Sequence, residues 1–497
     1  MNREDQKNHK ACEDTQRGEA TRRTEAGEEL FKTGREEGSP GEEKLMEEVC
    51  EASNLLKALQ MVKNNKGSAG EDKMMVEELP LYVQKHWEEI RRQLLEGSYQ
   101  PKELRKVDIP KPNGGIRQLG IPTVKDRFVQ QAILQVLQRN LDGSFSENSF
   151  GFRPGRRAHE AIRRLQEYIA EGYEYVVDID IEKFFDQVNH DVLMSEVYKR
   201  VKDKRVLKII RRFLKSGIVM ENGVVNSREK GTPQGGPLSP LLPNIYFDRL
   251  DKELERRGLH FVRYVDDCNI YVRSQRAAER VMRSISEYIA VRLKLKVNVA
   301  KSAVGRYYER KFLVTKPSNP DIFWQDIFFS RRQNDQSNFA ILGSGLSRLG
   351  FSFMKYKGQI KRRISKEALE KFKGNVKRMI RRTAGQSLGR MIEGLNLYLK
   401  GWGGYFGICQ TPTVPERLNG WIRRRLRSVM WKQWKRGKRR YQELVRLGVS
   451  GKSAAEVAGS SLGPWRMSKT RAIHTALSDG YFDKQGPYTL TIQSLTY

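Results

Sequence analysis

The sequence predicts a protein of the α+β class, and three observations lead to that prediction. Residues 175–186 and 261–272 are rich in β-branched and aromatic residues without a helical stripe, which indicates strands. Residues 104–121 alternate around a Pro-Asn-Gly-Gly turn signal, which indicates a hairpin. Amphipathic stripes at helical spacing lie in other parts of the chain. Strands and helices in separate segments are typical of α+β folds.

Aspartates interrupt both predicted strands. Asp266 and Asp267 lie side by side where residues 261–272 must turn, and Asp178 and Asp180 interrupt the apolar strand at 176–181. Neighbouring carboxylates repel each other, and a buried carboxylate is costly unless it is paired or bound to metal. An exposed Asp-Asp turn is common by itself, but a second acidic strand favours one shared metal site with oxygen ligands. Asp178 is out of register, so we leave it out of the catalytic set.

Composition indicates several domains and a polyanionic partner. The chain has 497 residues, which is too long for one core, and 92 Lys and Arg against 60 Asp and Glu give a net charge of +32. Nucleic acid is favoured over an acidic membrane, because no apolar run approaches the length of a spanning helix and no signal peptide opens the chain. The four cysteines are scattered, so neither disulfides nor a zinc cluster is expected, which fits a reducing cytoplasm.

The helical stripes and the start signals predict where helices lie. Helices are expected at residues 45–62, 77–95, 124–137, 153–168, 365–383, 388–402 and 418–429. The last three form a bundle. Ser239 and Pro240 predict another helix start, with Ser239 as its N-cap, and Pro243 falls within the first turn, where a missing N–H is tolerated. Residues 1–44 are charged and nearly free of large apolar side chains, which predicts disorder.

Taken together, the motifs resemble the core of reverse transcriptases. The resemblance rests on Tyr-Val-Asp-Asp at 264–267, on Asp180 five residues ahead of Phe185, and on Gly-Thr-Pro-Gln-Gly-Gly-Pro-Leu-Ser-Pro at 231–240. Four flanking motifs narrow it to bacterial group II intron-encoded proteins, also called maturases: Asn-Lys-Gly-Ser-Ala-Gly at 65–70, Ile-Pro-Lys-Pro at 109–112, Leu-Gly-Ile-Pro-Thr at 119–123, and Ser-Phe-Gly-Phe-Arg-Pro-Gly at 149–155. The resemblance runs from about residue 45 to the C-terminus.

The resemblance implies a right-hand polymerase fold. Fingers and palm with an antiparallel sheet are expected over residues 45–353, a three-helix thumb or maturase domain over 354–435, and a small basic helical DNA-binding domain over 436–497. Residues 314–349 interrupt the family pattern as an insertion. This insertion reads as a tolerated surface segment, an added contact with primer or partner, or a decayed element. Because no Cys pairs with His and Asn follow, the resemblance is to members without a C-terminal endonuclease domain.

The resemblance also assigns the candidate site. Asp180, Asp266 and Asp267, helped by the backbone carbonyl of Ile181, are expected to bind two Mg²⁺ ions, with Mn²⁺ as a substitute. The predicted nucleotide contacts are Lys111 and Arg117 at the triphosphate, Phe185 as a steric gate against a 2′-hydroxyl, and Gln234 beside the incoming nucleotide. From the residues alone, a cation pair such as Lys111 and Arg117 on a hairpin is most often a solvated face, and Phe185 could simply fill the core.

Basic and polar residues are the predicted nucleic-acid contacts. Asn298 and Lys301, in a motif at 295–302, are expected to fix the active-site hairpin or the primer. The other expected contacts are Arg153, Arg423, Arg424, Arg425, Lys432 and Lys435. Val265 stands where family members usually carry alanine, and a β-branched residue beside the primer terminus could crowd the growing strand.

The resemblance predicts an RNA-directed DNA polymerase, a nucleotidyltransferase encoded by a group II intron. It implies that the protein also assists splicing and mediates intron mobility by reverse splicing and target-primed reverse transcription. The expected partners are intron RNA, an RNA template with a DNA primer, target DNA and dNTPs, with no membrane. The expected location is the bacterial cytoplasm, in association with the nucleoid. Two alternatives stay open: a host polymerase for DNA repair, which Val265 keeps in view, and a splicing-only RNA-binding maturase.

Overall fold

The structure is a computed structural model that describes residues 44–110, 116–220, 223–307, 312–315, 339–342, 349–381 and 385–491. The predicted arm before residue 44, Lys111, and most of the predicted insertion at 314–349 lie outside the described residues. Within the described ranges, helices alternate with four small sheets whose strand pairs are mostly antiparallel. The predicted α+β class is therefore confirmed.

The first part of the chain carries ten helices and eight strands among the described residues. In order they are α1 (Leu45–Val49), α2 (Ala52–Asn65), α3 (Leu79–Leu95), β1 (Leu104–Pro110), β2 (Ile116–Ile121), α4 (Val124–Leu141), α5 (Ala158–Ala170), β3 (Tyr175–Ile179), α6 (Phe184–Gln187), α7 (His190–Arg200), α8 (Lys204–Lys215), β4 (Ile218–Val219), β5 (Val225–Asn226), α9 (Leu241–Arg256), β6 (His260–Tyr264), β7 (Asp267–Val272), α10 (Gln275–Arg292) and β8 (Ala303–Arg306). Short 3₁₀ turns lie at Val76–Glu78 and Asp142–Ser144.

The remaining described elements begin with two antiparallel strand pairs and end with helices. They are β9 (Phe312–Thr315), β10 (Phe339–Leu342), β11 (Phe351–Tyr356), β12 (Gln359–Ile364), α11 (Lys366–Met379), α12 (Leu388–Phe406), α13 (Thr413–Gln433), α14 (Gly437–Arg446), α15 (Gly451–Ala458), α16 (Pro464–Met467), α17 (Arg471–Ala476) and α18 (Asp479–Gln485). β9 pairs with β10, and β11 pairs with β12, both antiparallel.

The central sheet has the strand order β6-β7-β3-β8, and every pairing in it is antiparallel. Alternate residues point to opposite faces of a strand. Val177 and Ile179 of β3 join the core formed with α4, α9 and α10, while Val176 joins a second core with α5, β11 and β12. The sheet is thus covered on both faces, and its polar residues are held in a rigid frame.

The second sheet, β2-β1-β4-β5, contains the hairpin predicted over residues 104–121. β1 and β2 pair from Arg105↔Ile121 to Pro110↔Ile116, on either side of a turn at 111–115 that lies outside the described residues. β1 also pairs in parallel with β4. The hairpin prediction is confirmed for its two strands.

Several predicted helices have different bounds in the structure, and the backbone gives the reason for two of them. The stripe at 45–62 forms two helices, because Glu51 is extended (φ −61°, ψ 137°) and Asn54 Nδ2 donates to the Val49 carbonyl at 2.9 Å. The helix predicted from residue 153 begins only at Ala158, since Phe152 (φ 58°) and Gly155 (φ 71°) adopt left-handed conformations that end any helical run.

The C-terminal helices share one apolar core. The three predicted bundle helices correspond to α11, α12 and α13, and residues such as Phe372, Leu395 and Val429 pack together within them. The same cluster continues past residue 436 into α14, α15, α17 and α18. Residues after 436 therefore pack on the bundle through a shared core, although we predict a domain boundary at 435/436.

Candidate active site

Strand register brings two of the predicted aspartates to the same end of the central sheet. The last ladder pair between β3 and β7 is Ile179↔Cys268. Asp180 follows the last paired residue of β3, and Asp267 is the first residue of β7, so both lie at the end of the sheet where this ladder stops. Asp266 is the residue before Asp267 in the turn. All three aspartates are partly exposed, so the register gives a solvent-accessible acidic end to an otherwise buried sheet.

The turn between β6 and β7 contains a left-handed valine. Tyr264 pairs with Asp267, so Val265 and Asp266 are the two residues of the loop. Val265 has φ 64° and is only 7% exposed. A two-residue hairpin loop needs positive φ, which glycine or asparagine adopts readily and a β-branched residue does not. The turn that presents the aspartates is therefore strained and must be held by its surroundings.

The backbone of Asp180 is fixed by the segment before β8. The Asp180 N–H donates to Ser302 Oγ at 2.9 Å, and the Asn298 N–H donates to the Asp180 carbonyl at 2.8 Å. Asn298 thus lies at the predicted site through its main chain, while Lys301 is exposed beside it. Sequence reasoning missed Ser302, whose signal was a small polar residue inside the motif at 295–302.

The glycine-rich segment at 231–240 packs on the residues after β3. Thr232 N–H donates to the Phe185 carbonyl at 2.7 Å. A Cβ on Gly231, which has φ 86°, would lie 2.8 Å from that same oxygen, so only glycine fits this close approach. Phe185 is half-buried, with its ring centroid 5.1 Å from that of Phe184. Phe185 is therefore adjacent to the segment that carries Gln234.

The same segment also contacts the β1–β2 hairpin. Gly120 N–H donates to the Gln234 carbonyl at 3.1 Å, and a Cβ on Gly235 would meet the Gly120 carbonyl at 2.9 Å. Arg117 is exposed on the same strand as Gly120. The glycine-rich segment thus lies between β2 and Phe185 and contacts both. Lys111 lies outside the described residues.

The predicted N-cap role of Ser239 is wrong. The Ser239 hydroxyl donates to the Pro233 carbonyl at 2.5 Å and makes no cap, and α9 begins at Leu241 with Pro240 as its N-cap residue. The helix continues through Pro243, because the first-turn N–H groups have no intrahelical acceptor in any case. Ser239 closes the glycine-rich segment instead.

The donor chemistry of the three aspartates suits a hard divalent cation, since Mg²⁺ prefers carboxylate and carbonyl oxygens. The Ile181 main chain lies at the same end of the sheet, where Ile181 forms a bridge with Val297. Within the ranges that the structure describes, however, no three His, Cys, Asp or Glu side chains are gathered closely enough to hold a metal ion. The aspartate backbones are in place, and the number of ions and their ligands stay a prediction.

Arg153 does not fit the nucleic-acid role predicted for it. Its side chain is 3% exposed, and its guanidinium donates to Asp142 Oδ1 at 2.9 Å, to the Ser146 carbonyl at 2.6 Å and to the Ser149 carbonyl at 3.0 Å. The residue closes the loop ahead of α5, because its guanidinium joins Asp142 to the Ser146 and Ser149 carbonyls.

The three predicted arginines of α13 are engaged within the protein. Arg423 pairs with Asp479 and Asp483, both at 3.1 Å. Arg424 stacks 3.7 Å from the Trp465 ring centroid, and burial lowers its pKa, while Arg425 donates to the Ile380 carbonyl at 3.3 Å. Arg423 and Arg424 attach the C-terminal helices to the bundle, and Arg425 joins α13 to the end of α11 within the bundle. By contrast, two predicted contacts at the end of α13 are exposed, Lys432 and Lys435.

None of the helices in the described ranges combines the length and the apolar composition that crossing a bilayer would require.

Two protein-family patterns match the chain in sequence. The pattern for reverse transcriptase (RNA-dependent DNA polymerase) matches residues 109–344, and that for the group II intron, maturase-specific domain matches residues 369–448. The first covers the end of β1, all of β2, the central sheet and the glycine-rich segment. The second covers α11 to α14, apart from the first residues of α11.

Relatives with curated names are similar over about a third of the chain. Protein YkfC of Escherichia coli (strain K12) is 38% identical over 34% of this chain and 45% of its own length. Group II intron-encoded protein LtrA of Lactococcus lactis subsp. cremoris is 37% identical over 35% of this chain and 29% of its own length. The matches thus span less than half the length of either relative.

A solved structure, a partial Cas6-RT-Cas1–Cas2 complex, is 25% identical over 50% of this chain and 42% of that chain, with a TM-score of 0.33. The two family patterns, in this order, agree with the motifs at 231–240 and 264–267. The chain is thus similar to group II intron-encoded reverse transcriptases and maturases, with a reverse transcriptase match at 109–344 followed by a maturase-specific match at 369–448.

Proposed function

We propose that this protein is an RNA-directed DNA polymerase that also binds and assists the splicing of a group II intron RNA. One observation carries the polymerase proposal: the β3–β7 ladder ends at Ile179↔Cys268, so Asp180 follows β3 at the end of the central sheet where β7 begins with Asp267, next to Asp266. The family patterns support both halves of the proposal.

Each nearby residue has a role in the proposed reaction. Asp180, Asp266 and Asp267 would hold divalent cations, with two Mg²⁺ as our proposal and Mn²⁺ as a substitute. When bound, such ions activate the primer 3′-hydroxyl and neutralise charge on the triphosphate. Arg117 would contact the triphosphate, and so would Lys111, which lies outside the described residues. Gln234 would lie beside the incoming nucleotide.

Sugar selection is proposed for Phe185. The ring is half-buried, and its backbone is held by Thr232, so a ring packed against the sugar would leave no room for a 2′-hydroxyl. Ser302 and the Asn298 main chain would keep Asp180 in place during the reaction. Lys301, exposed beside them, is retained as a proposed primer contact.

The domain assignment follows from the same reading. We assign fingers and palm to residues 45–353, the thumb to 354–435 and a DNA-binding segment to 436–497, which shares its core with the thumb. Exposed lysines at the end of α13, Lys432 and Lys435, are the proposed phosphate contacts. The proposed partners are intron RNA, a primed RNA template, dNTPs and target DNA. Mobility would use reverse splicing and target-primed synthesis, in the bacterial cytoplasm.

Primer extension and splicing, assayed on the same samples, test the proposal. Asp266→Asn should abolish extension of a DNA primer on an RNA template with Mg²⁺ while leaving splicing of the flanking intron intact. Asp191→Asn is the matched control, because Asp191 is a 79% exposed acid on α7 and should leave both activities unchanged.

The alternatives give different results. If the unaltered protein promotes splicing without extending any primer, it is a splicing-only maturase. If it extends primers but neither binds nor splices the intron RNA, the host-polymerase alternative replaces our proposal.

A further inference from the structure

A fully buried arginine lies directly behind the catalytic turn. Arg263 is the residue before Tyr264 on β6, and both it and its partner Asp251 on α9 are 0% exposed. Arg263 Nε donates to Asp251 Oδ1 at 2.7 Å, and Nη2 donates to Oδ2 at 2.6 Å. This is a two-bond fork, the geometry that fixes a guanidinium most firmly. The ion pair therefore sets the position of Arg263 relative to α9.

The other donors of Arg263 reach the turn and its supports. Nη1 donates to the Val265 carbonyl at 2.8 Å and to Asn244 Oδ1 at 3.1 Å, and Nη2 donates to Ser149 Oγ at 2.6 Å. A guanidinium has five N–H groups, and these bonds with the fork to Asp251 use all five. No other side-chain type supplies five donors in one plane.

Asn244 and the loop at 148–151 make further contacts around Val265. Asn244 Nδ2 donates to the Gly151 carbonyl at 2.9 Å, so Asn244 bridges Arg263 and the loop at 148–151. The Arg263 main chain is also held by that loop, through Asn148 and Phe150. Gly151 itself lies against Val265, where an added Cβ would be 2.5 Å from Val265 Cγ2.

The contacts of Arg263, Asn244 and the loop at 148–151 surround a residue in a strained conformation, Val265. A β-branched residue at φ 64° persists only where its surroundings leave it no alternative. Arg263 fixes the Val265 carbonyl, which belongs to the peptide group that joins Val265 to Asp266. The rotation of that peptide determines where the Asp266 and Asp267 carboxylates point.

We propose that Arg263, fixed by Asp251 and Asn244, is a positioning residue that holds Val265 in its left-handed conformation and so orients Asp266 and Asp267. The catalytic consequence rests on the proposed polymerase function. The conformational part does not, because it concerns only contacts within the chain.

Arg263→Lys tests the proposal, since lysine keeps the charge and loses the fork geometry. Hydrogen exchange should rise at least tenfold in peptides covering residues 264–268 and much less in β3. In primer extension, kcat should fall at least tenfold and KM for Mg²⁺ should rise, with the Kd for primer–template unchanged. Arg256→Lys, on the exposed side of α9, is the control and should change none of these.

A rescue variant separates positioning from simple loss of packing. Val265→Gly removes the penalty for positive φ, so the double variant Arg263→Lys/Val265→Gly should recover at least a third of the lost kcat. If Arg263→Lys lowers only Tm, with a uniform rise in exchange and no recovery by Val265→Gly, the positioning role is refuted.

Asn244→Ala keeps the proposal testable if Arg263→Lys fails to fold, because it leaves the buried ion pair intact. It should give the same local rise in exchange at 264–268 with a smaller loss of kcat. Unchanged exchange at 264–268 in this folded variant overturns the inference. Absence of primer extension by the unaltered protein defeats the polymerase function instead, and the exchange result still decides the role of Arg263.

Discussion

Gly151 lies so close to Val265 that a Cβ at position 151 would be 2.5 Å from Val265 Cγ2 and 2.6 Å from the Val265 backbone nitrogen. Gly151 comes from the loop before α5, and Val265 is in the turn that presents Asp266 and Asp267. Val265 is larger than the alanine usual at this position in similar proteins, and it fits because its neighbour is a glycine. The turn has no free space on that side.

Gly151→Ala should therefore disturb the turn. Inserting one methyl into a packed site typically costs about 1–3 kcal/mol. We expect a loss of that order in the free energy of unfolding, measured by denaturant titration, and a larger relative loss in primer extension. Gly143→Ala is the control, since nothing lies within 4 Å of a Cβ there. Equal behaviour of the two variants would contradict the tight contact.

Phe185→Ala should weaken discrimination against ribonucleotides. If this half-buried ring packs against the sugar as we propose, removing it opens the space that a 2′-hydroxyl would occupy. We expect the ratio of kcat/KM for dNTP over rNTP to fall by about tenfold or more, which corresponds to ~1.4 kcal/mol. Single-nucleotide incorporation on an RNA template measures it. A variant that loses stability with an unchanged ratio would show that Phe185 only fills the core.

Ser302→Ala should lower the rate of synthesis more than it lowers stability. The Ser302 hydroxyl accepts from the Asp180 N–H and is 1% exposed, and a hydrogen bond of this kind contributes about 1 kcal/mol. We expect kcat to fall roughly fivefold with KM for dNTP little changed. Ser286→Ala is the matched control, a buried serine whose hydroxyl contacts the Met282 sulfur at 3.8 Å. A drop in Tm without a drop in kcat would argue against this role.

His190 should make stability depend on pH. Its Nε2 lies 2.7 Å from the Gly231 carbonyl, and burial lowers the pKa of His190 below its ordinary value of 6.5. The unfolded chain therefore binds a proton before the folded one, so stability is complete above about pH 6.5 and is lost as pH falls toward the folded-state pKa. Tm at pH 7.5 and 5.5 should differ less for His190→Gln, which retains a donor to Gly231. An unchanged pH slope would exclude His190 as the cause.

Arg153→Gln should destabilise the fold without weakening nucleic-acid binding. Breaking a largely buried ion pair costs about 3 kcal/mol, and Arg153 also satisfies the Ser146 and Ser149 carbonyls. Denaturant unfolding should show that loss, while the primer–template Kd at fixed salt stays unchanged for the folded protein. Lys432→Ala is the contrasting variant, expected to reduce affinity and its salt dependence at wild-type stability. A weaker Kd for folded Arg153→Gln would restore it as a nucleic-acid contact.

The sequence by itself determined the fold class, the strands next to the aspartates, the family resemblance and the bundle helices. These features depend on local patterns: β-branched runs at 175–179 and 267–272, a turn between 264 and 267, and apolar spacing in α11 to α13. Such patterns extend over a few residues, so they can be recognised in the sequence before any tertiary contact is known.

Only the tertiary structure decided which polar residues face solvent and which hold the fold together. A run such as Arg423-Arg424-Arg425 has the same composition whether it meets phosphate or, as here, meets Asp479, Trp465 and a carbonyl. The partners of Ser302 and Arg263 could not be read from the sequence, because they lie 122 residues away at Asp180 and 12 to 114 residues away at Asp251 and Ser149. Burial and hydrogen-bond partners are long-range properties, since they depend on which distant segments the packed core brings into contact.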